Sequence, residues 1–301
     1  MPLPRGLLLR LATVVAASIS LHPRDSPVSK TKHSWRLVDG HHWQIASEAS
    51  ETPAQTDARE GTRGGCPDGM VEVEGAMKTE GDIESLEYLQ DATCLEWIDR
   101  KFPERCARFD RDAWLRLSDH LPTRRMRFCI DRFEYPDQNG VYPIIDVTWS
   151  EARALCAVSG KRLCTEAEWT FACEGEEATP YPNAYVRDPT ACVIDRPWRD
   201  VNEHDLGPRE SAKALVEIDR LWQGEPSGTH PRCRSAFGVY DMTGNIDEWT
   251  ISVRGAEEPR SILKGGYWGP VRTRCRPSTR AHGEDYSYYQ QGFRCCRDRG
   301  E

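Results

Sequence analysis

The sequence lacks several patterns that would place it in a common class. No run of twenty consecutive apolar residues occurs, which excludes a protein with several membrane-spanning helices. Basic residues are in the minority, with 40 Lys and Arg against 48 Asp and Glu, and the net charge is -8. A nucleic-acid-binding surface is normally basic, so we expect no nucleic-acid partner.

The sequence also lacks the close Cys and His pairs that mark zinc and redox sites. It contains no C-x-x-C and no H-E-x-x-H, although it has twelve cysteines. Only Cys295 and Cys296 are adjacent, and the others are separated by seven or more residues. Twelve cysteines indicate either metal sites or disulfides, and this spacing favours disulfides formed in an oxidising compartment.

The N-terminal part of the chain predicts export. Residues 1–20 begin with a basic segment and continue as a mostly apolar, small-residue stretch, which is typical of a signal peptide. The alternatives are a buried helix or a start codon without a targeting role, and an uncleaved segment could stay as an anchor. We expect a periplasmic, cell-surface or secreted protein without a further transmembrane segment.

Residues 21–64 have no Cys and few aliphatic side chains, so they predict a disordered linker. His41, His42 and Trp43 are interpreted as solvent-facing linker residues, with a short contact motif as the alternative. The globular domain is expected over residues 65–297.

Local patterns predict several elements of that domain. Met70 to Glu74 alternates apolar and polar residues, as a half-buried strand does. Residues 82–102 have mostly helical spacing of apolar side chains and predict one helix. Phe128 to Ile130 and Tyr142 to Val147 predict two short strands on either side of a turn.

Two capping boxes predict the starts of two helices. Thr148–Glu151 and Thr165–Glu168 each place a Thr hydroxyl three residues before a Glu, so that each side chain can bond the other's backbone N–H. Gly160 and Gly175 stand where a helix end favours a left-handed residue. Ser211 to Trp222 predicts one further helix.

Five segments in order carry a resemblance to a known family. They are Asp146-Val-Thr-Trp-Ser-Glu-Ala, Gly160-Lys-Arg-Leu-Cys-Thr-Glu-Ala-Glu-Trp169, Phe237-Gly-Val-Tyr-Asp-Met-Thr-Gly-Asn-Ile-Asp-Glu-Trp-Thr250, Lys264-Gly-Gly266 and Gly292-Phe-Arg-Cys295. With these motifs the chain resembles the formylglycine-generating enzymes, also called sulfatase-modifying factor domains. The resemblance covers roughly Cys66 to Cys296.

The resemblance implies an α/β (α+β) fold related to C-type lectins, rich in loops and stapled by disulfides. It implies that Cys156 pairs with Cys295, and Cys173 with Cys275. The other cysteines can be paired by neighbourhood, which the sequence permits without requiring. These pairs are Cys66–Cys129, Cys94–Cys106, Cys164–Cys296 and Cys192–Cys233.

The resemblance also shows where catalytic cysteines are missing. Formylglycine generators oxidise a sulfatase cysteine with oxygen and copper held by two thiols, which lie five and ten residues before the cysteine matching Cys275. Here these places are Pro270 and Gly265 or Gly266. Neither Pro nor Gly offers a ligand to Cu(I), so copper is not expected. Cys275 is either a half-cystine, as the family implies, or a surviving catalytic thiol.

A calcium site is implied by the segment from Asp241 to Glu248. Family members bind Ca²⁺ there, and the matching donors are the carboxylates of Asp241 and Glu248 with the backbone carbonyls of Gly244 and Ile246. All four are the hard oxygen donors that calcium requires. The alternative is that the two acids merely cap a turn.

The cleft that forms the active site in relatives is expected near Trp268, Arg272, Arg274 and Arg276. Three Arg at alternate positions would form one charged row on a strand face, which suits an anionic ligand, or else a solvated or ion-paired edge strand. The predicted function is an exported binding or accessory module for a peptide, a protein or a small anionic ligand. The alternative is a metal-dependent oxidoreductase of the same family acting on a peptide or small molecule.

Overall fold

The computed structural model describes residues 31–46, 65–79, 83–252 and 260–299, which form a mixed α/β structure with long loops. The predicted signal segment, residues 1–20, lies outside the described residues. Five α-helices are described: α1 Ile83–Asp91, α2 Arg111–Ser118, α3 Trp149–Val158, α4 Glu166–Glu174 and α5 Ala212–Leu221. A 3-10 turn covers Glu203–Asp205.

Twelve short strands are described between and around these helices. They are β1 Trp35–Val38, β2 His42–Ile45, β3 Met70–Lys78, β4 Cys94–Asp99, β5 Arg105–Phe109, β6 Thr123–Asp131, β7 Arg162–Leu163, β8 Asp247–Ile251, β9 Ser261–Lys264, β10 Ser278–Thr279, β11 Gln291–Phe293 and β12 Cys295–Asp298. The predicted strands at Met70 to Glu74 and Phe128 to Ile130 are confirmed within β3 and β6.

Two four-stranded sheets share the C-terminal segment of the chain. One has the antiparallel order β3-β6-β12-β7, and the other has the order β10-β9-β8-β11, in which β11 runs parallel to β8. Strands β11 and β12 follow one another directly and belong to different sheets. Arg294, the one residue between them, is therefore placed at the junction of the two sheets, and its side chain is fully buried.

The predicted helix starts at both capping boxes are confirmed. Thr148 caps α3 and Thr165 caps α4, and in each helix the reciprocal Thr and Glu hydrogen bonds are present. Gly160 and Gly175 follow these helices with positive φ angles of 66°. The helix predicted from Ser211 is also confirmed, since the Ser211 side chain accepts the N–H of Ala214 at the start of α5.

All twelve cysteines form six disulfides, and every predicted pair is confirmed. The bridges are Cys66–Cys129, Cys94–Cys106, Cys156–Cys295, Cys164–Cys296, Cys173–Cys275 and Cys192–Cys233. Three of them close loops with sequence separations of 102 to 139 residues, namely Cys156–Cys295, Cys164–Cys296 and Cys173–Cys275. Cross-links over such distances stabilise a fold by about 4 to 5 kcal/mol each in the chain-entropy model.

The prediction of a disordered linker is wrong for residues 31–46. Strands β1 and β2 form an antiparallel hairpin, and Trp43 and Ile45 are buried against the domain. The backbone of Trp43 accepts the N–H of Ile145 at 2.9 Å, and its indole donates to the carbonyl of Arg209 at 2.7 Å. A composition average over the whole stretch conceals the few aromatic residues that anchor this hairpin.

Two further element predictions are wrong. The helix predicted over 82–102 ends at Asp91, because the chain turns at Ala92 and re-enters as β4, which pairs with β5 and is tied to it through Cys94–Cys106. Residues 142–147 do not form a strand: Ile144, Ile145 and Val147 are buried, but only Ile145 makes a ladder contact, an isolated bridge to Trp43. The apolar residues of this segment are therefore explained by their burial and not by a strand.

No helix within the described residues is long and apolar enough to cross a membrane.

Candidate functional site

Cys275, which the sequence leaves open as either a half-cystine or a catalytic thiol, is not a free thiol. Cys275 is bonded to Cys173 and is fully buried, so the interpretation of Cys275 as a surviving catalytic thiol is wrong. A disulfide sulfur is neither a thiolate nucleophile nor a thiolate metal ligand. Since all twelve cysteines are paired, the chain offers no thiolate anywhere.

The backbone at one of the two thiol positions has a conformation that suits glycine. Gly265 has φ +89°, and a Cβ placed on it would lie 2.9 Å from the carbonyl oxygen of Met242. Gly266 has φ +69°, and its Cβ would lie 2.7 Å from Cγ2 of Thr273. L-residues rarely adopt such φ values. Neither Gly265 nor Gly266 can therefore be replaced by a residue with a side chain without local rearrangement.

The motif lysine before these glycines is structural. Lys264 is 1% exposed, and its ammonium donates to the backbone carbonyl of Arg276 at 2.6 Å. It also lies 5.5 Å from the ring centroid of Trp169, a cation–π distance. Burial lowers the pKa of Lys264 to about 8. The Lys264-Gly-Gly266 motif thus fixes the end of β9 and the loop that follows.

The expected row of arginines on a strand face is wrong. Residues 271–276 are not in a strand. Arg274, 3% exposed, lies 2.6 Å from Asp91 and 3.0 Å from Glu87, both on α1. Arg272 also pairs with Glu87, at 3.2 Å.

Arg276 and Trp268 are also buried, so neither side chain is accessible to a ligand. Arg276 lies 2.6 Å from Glu174 of α4, and both side chains are fully buried. Trp268 is 2% exposed and packs edge-on to Trp222, with ring centroids 4.7 Å apart. It lines a small cavity of about 10 Å³, room for about one water molecule. The three arginines thus tie the segment to α1 and α4.

The residues expected to hold calcium lie close to a buried charge network. Both carboxylate oxygens of Glu248 are held by Arg294, at 2.6 and 2.7 Å, and one also accepts the indole N–H of Trp169 at 2.8 Å. Asp241 is buried, has φ 54°, and accepts the N–H of Gly228 at 2.6 Å. Burial raises the pKa of Asp241 to about 6.

Glu134 is a third carboxylate in this network, and no sequence pattern points to it. Its Oε2 accepts the hydroxyl of Ser227 at 2.6 Å and the side-chain amide of Asn245 at 2.7 Å, while its Oε1 has no hydrogen-bond partner. Burial, followed by the charges of Asp241 and Glu248, raises the pKa of Glu134 well above its usual value. Three carboxyl groups thus lie in this network, and Arg294 pairs with one of them, Glu248.

The donor set fits a hard cation in part. Asp241 and the carbonyls of Gly244 and Ile246 are oxygen donors of the kind that calcium takes. Among the described residues, however, no group of three or more His, Cys, Asp or Glu side chains is arranged to hold a metal ion. Any calcium would therefore depend on the carbonyl donors and would compete with Arg294 for Glu248.

A larger cavity lies elsewhere, beside the loop that carries the two glycines. Its volume is about 510 Å³. The N–H of Gly266 donates to the Asp247 carboxylate at 3.1 Å, which joins this loop to the cavity wall. The lining side chains include Glu203, Asp247, His282, Tyr286, Tyr288 and Gln291.

Aromatic rings shape the mouth of this cavity. The His282 ring stacks on Tyr286 with centroids 4.0 Å apart and planes 6° apart, and burial lowers the pKa of His282. The Tyr288 hydroxyl donates to Glu203 at 2.7 Å. Sequence patterns do not reveal the cavity because its walls come from the 203–207 segment, β8, β9 and the 282–291 loop. The tyrosines at 286, 288 and 289 are the one local signal.

Comparisons with known proteins match residues 94–299 to one family. The family model of the sulfatase-modifying factor enzyme 1-like domain matches residues 94–299. The chain is 30% identical over 169 residues to "Inactive C-alpha-formylglycine-generating enzyme 2" of Bos taurus, covering 53% of this chain and 51% of that protein. It is 30% identical over 160 residues to "Hercynine oxygenase" of Mycolicibacterium thermoresistibile, covering 46% and 32%.

A solved structure, "Crystal Structure of CarF", matches 77% of this chain and 98% of its own with 15% identity and a TM-score of 0.45. The chain spans about half the length of the inactive formylglycine-generating enzyme relatives that it matches. Because the family model covers more than half of the chain, the chain belongs to the sulfatase-modifying factor family.

Proposed function

We propose that this chain is an exported binding or accessory module of the sulfatase-modifying factor family, without copper–thiol chemistry. The observation that carries the proposal is the pairing of all twelve cysteines, together with glycine and proline at the positions of the two catalytic thiols. The copper site of formylglycine generators needs two thiolates, and this chain has none to give because every cysteine is in a disulfide.

The ligand is proposed to occupy the 510 Å³ cavity. This cavity adjoins the loop that carries the catalytic thiols in formylglycine generators, because Asp247 of its wall bonds Gly266 of that loop. Pockets of this size are typical of ligand sites. The name "Inactive C-alpha-formylglycine-generating enzyme 2" of the bovine relative supports a member of the family that does not perform the oxidation.

Export is supported by the same cysteines. Six disulfides persist in an oxidising compartment and are rare in a reducing cytosol. The N-terminal basic and apolar segment supports it independently.

The ligand class expected from the sequence needs revision within this proposal. Arg272, Arg274 and Arg276 are each committed to acidic side chains, so an anionic ligand loses its expected partners. A peptide or protein segment remains compatible with the open, aromatic-rimmed cavity.

The second candidate is a metal-dependent oxidoreductase acting on a peptide or small molecule. Its support is the likeness to hercynine oxygenase over 46% of the chain. Metal analysis of the protein purified from an oxidising compartment, combined with oxygen-uptake measurements, separates the two candidates. The binding module predicts less than stoichiometric copper and iron and no oxygen uptake, and stoichiometric redox metal with oxygen uptake would overturn it.

Calcium is proposed as a structural ion held by Asp241 and Glu248 with the carbonyls of Gly244 and Ile246. Glu134, Asp241 and Glu248 are all buried, and among the described ion pairs only Glu248 has a cationic partner, Arg294, which supports a cation there. Binding would draw Glu248 away from part of its contact with Arg294.

A further inference from the structure

The cavity beside Gly266 contains hydrogen-bond acceptors that the protein leaves unused. Gln291 is 3% exposed, and its side-chain Oε1 has no hydrogen-bond partner. The Oε1 of the neighbouring Gln290 is also buried and without a partner. Both residues line the cavity. Buried acceptors without donors are costly, so these atoms favour the entry of a group that supplies N–H or O–H donors.

Two carboxyl groups accompany these acceptors. Asp247 and Glu203 line the same cavity, and the hydrogen bonds given to their carboxylates come from the N–H of Gly266 and the hydroxyl of Tyr288. Within the ranges that the structure describes, no Lys or Arg lines the cavity and neither carboxylate makes an ion pair. Burial raises the pKa of Asp247 to about 7. The two carboxyl groups of the cavity thus lack a cationic side-chain partner, in contrast to the buried arginine pairs elsewhere in the domain.

Aromatic faces complete the environment. Tyr286 and Tyr288 line the cavity with ring centroids 6.1 Å apart, and His282 stacks on the first of them. The faces of aromatic rings carry negative electrostatic potential and attract cations. Carboxylates, amide oxygens and aromatic faces together complement a positively charged group with several N–H donors.

We propose that this cavity binds an organic cation with several N–H donors, a primary ammonium or a guanidinium group. The proposal rests on the proposed binding function and names the chemistry of its ligand. The group can come from a free amine or from a Lys or Arg side chain of a peptide. A metal ion is a poorer match, because the described side chains contain no group of three or more His, Cys, Asp or Glu arranged to hold one.

Calorimetric titration with four probes of similar size tests the charge requirement. The probes are n-butylammonium, n-butylguanidinium, n-butanol and butyrate. We expect the two cations to bind at least about tenfold more tightly than the alcohol or the carboxylate, since hydrogen bonds to charged groups contribute about 1.5–3 kcal/mol. Equal or tighter binding of butyrate, or no binding of either cation, overturns the proposal.

Two variants and one control locate the binding. Asp247→Asn keeps an oxygen that can accept from Gly266, and Glu203→Gln keeps an oxygen that can accept from Tyr288 while removing the charge of an exposed side chain. Each should weaken cation binding by about tenfold. Asp285→Asn makes the same charge change at an exposed residue outside the cavity lining and should leave affinity within about twofold. Equal affinities for all three variants contradict the assignment.

Peptide probes distinguish the two sources of the cation, a free amine and a Lys or Arg side chain of a peptide. Acetylated, amidated Gly-Lys-Gly and Gly-Arg-Gly are compared with Gly-norleucine-Gly, which lacks the charge. Tighter binding of the peptides than of the free cations assigns a peptide ligand, and the reverse assigns a free amine. If neutral or anionic probes bind in the cavity, the charge inference fails while the binding function stands. Oxygen uptake with a redox metal would instead contradict the binding function itself.

Discussion

At the scale of single residues, the difference between this chain and a formylglycine generator is a matter of backbone conformation as well as of missing sulfur. Gly265 adopts φ +89° with the carbonyl oxygen of Met242 and the indole of Trp169 close to where a Cβ would stand. A cysteine restored there would meet backbone, which cannot yield as a flexible side chain can. The loop therefore has no room for a cysteine side chain at Gly265 without rearrangement.

Gly265→Ala tests this adaptation against a matched glycine. Gly140 has φ +74° and nothing within 4 Å of where a Cβ would stand, so Gly140→Ala adds only the cost of the left-handed backbone. We expect Gly140→Ala to lower the free energy of unfolding by about 1 kcal/mol and Gly265→Ala by about 2 to 4 kcal/mol. Urea denaturation measures both, and equal losses would mean that Gly265 is not sterically confined.

At the scale of elements, the hairpin β1–β2 shows how few residues can order a segment of polar composition. Asp219 on α5 accepts the backbone N–H groups of Lys32 and His33, the latter at 3.1 Å, and the indole N–H of Trp35 at 2.8 Å. Burial alone would raise the pKa of Asp219, but these hydrogen bonds outweigh it and lower the pKa overall. One carboxylate thus anchors the start of the hairpin.

Asp219→Asn should release this hairpin while the domain stays folded. The amide keeps the size of the side chain but loses the charge and one acceptor oxygen. We expect amide exchange over residues 31–46 to accelerate by about tenfold to a hundredfold, which corresponds to about 1.4–2.8 kcal/mol. Hydrogen-exchange mass spectrometry reports this, with Asp112→Asn as a control on α2. Unchanged protection of the hairpin would show that Asp219 does not anchor it.

The capping box of α3 gives a prediction with a pH dependence. Burial alone would raise the pKa of Glu151, but hydrogen bonds from Arg209 and Thr148 outweigh it and hold the pKa at about 2, against a reference value of 4.5. The stabilisation is therefore full above about pH 4.5 and is lost as the pH falls towards 2.

Glu151→Gln should accordingly cost about 1 to 2 kcal/mol of unfolding free energy near neutral pH and much less near pH 2. Chemical denaturation over this pH range measures the difference from the wild type. Glu96→Gln changes an exposed glutamate of β4 and serves as the control. A cost for Glu151→Gln that does not depend on pH would contradict the assignment of the stabilising interaction to the ionised carboxylate.

How well the sequence predicts each element depends on how far apart in the chain the interacting residues lie. The caps at Thr148 and Thr165 are local and are predictable from four residues each. The disulfides are predictable through the family resemblance, because spacing alone leaves many connectivities open. The strand prediction for the Arg272 to Arg276 segment is wrong because alternation produces a strand only when a partner strand is present. Its actual partners, Glu87 and Glu174, are distant in sequence.

At the scale of the whole molecule, the six disulfides, the two sheets and the buried Glu248–Arg294 pair form one framework, and the cavity opens at its surface. The cavity could not be predicted from sequence because its walls come from four separate segments. Arg294 lies where both sheets meet, so the charge balance around it bears on the stability of the whole domain.

Calcium binding at Asp241 and Glu248 should consequently raise the melting temperature of the whole domain. Ligand at about a hundred times its dissociation constant stabilises by about 2.7 kcal/mol, a shift of roughly 5 to 10 °C for a domain of this size. Asp241→Asn should abolish the calcium-dependent shift, whereas Asp285→Asn should retain it. Identical melting curves in calcium and in chelator would refute the calcium site.

The central claim, a family member that has lost the thiol-dependent oxidation, is tested most directly by presenting it with a substrate. The full chain is incubated with copper, oxygen, a thiol reductant at a level that leaves its disulfides intact, and a cysteine-containing peptide from a sulfatase site. An active formylglycine-generating enzyme serves as the positive control, and mass spectrometry measures the product. The account predicts no conversion of cysteine to formylglycine. Conversion at a rate comparable to the control would contradict it.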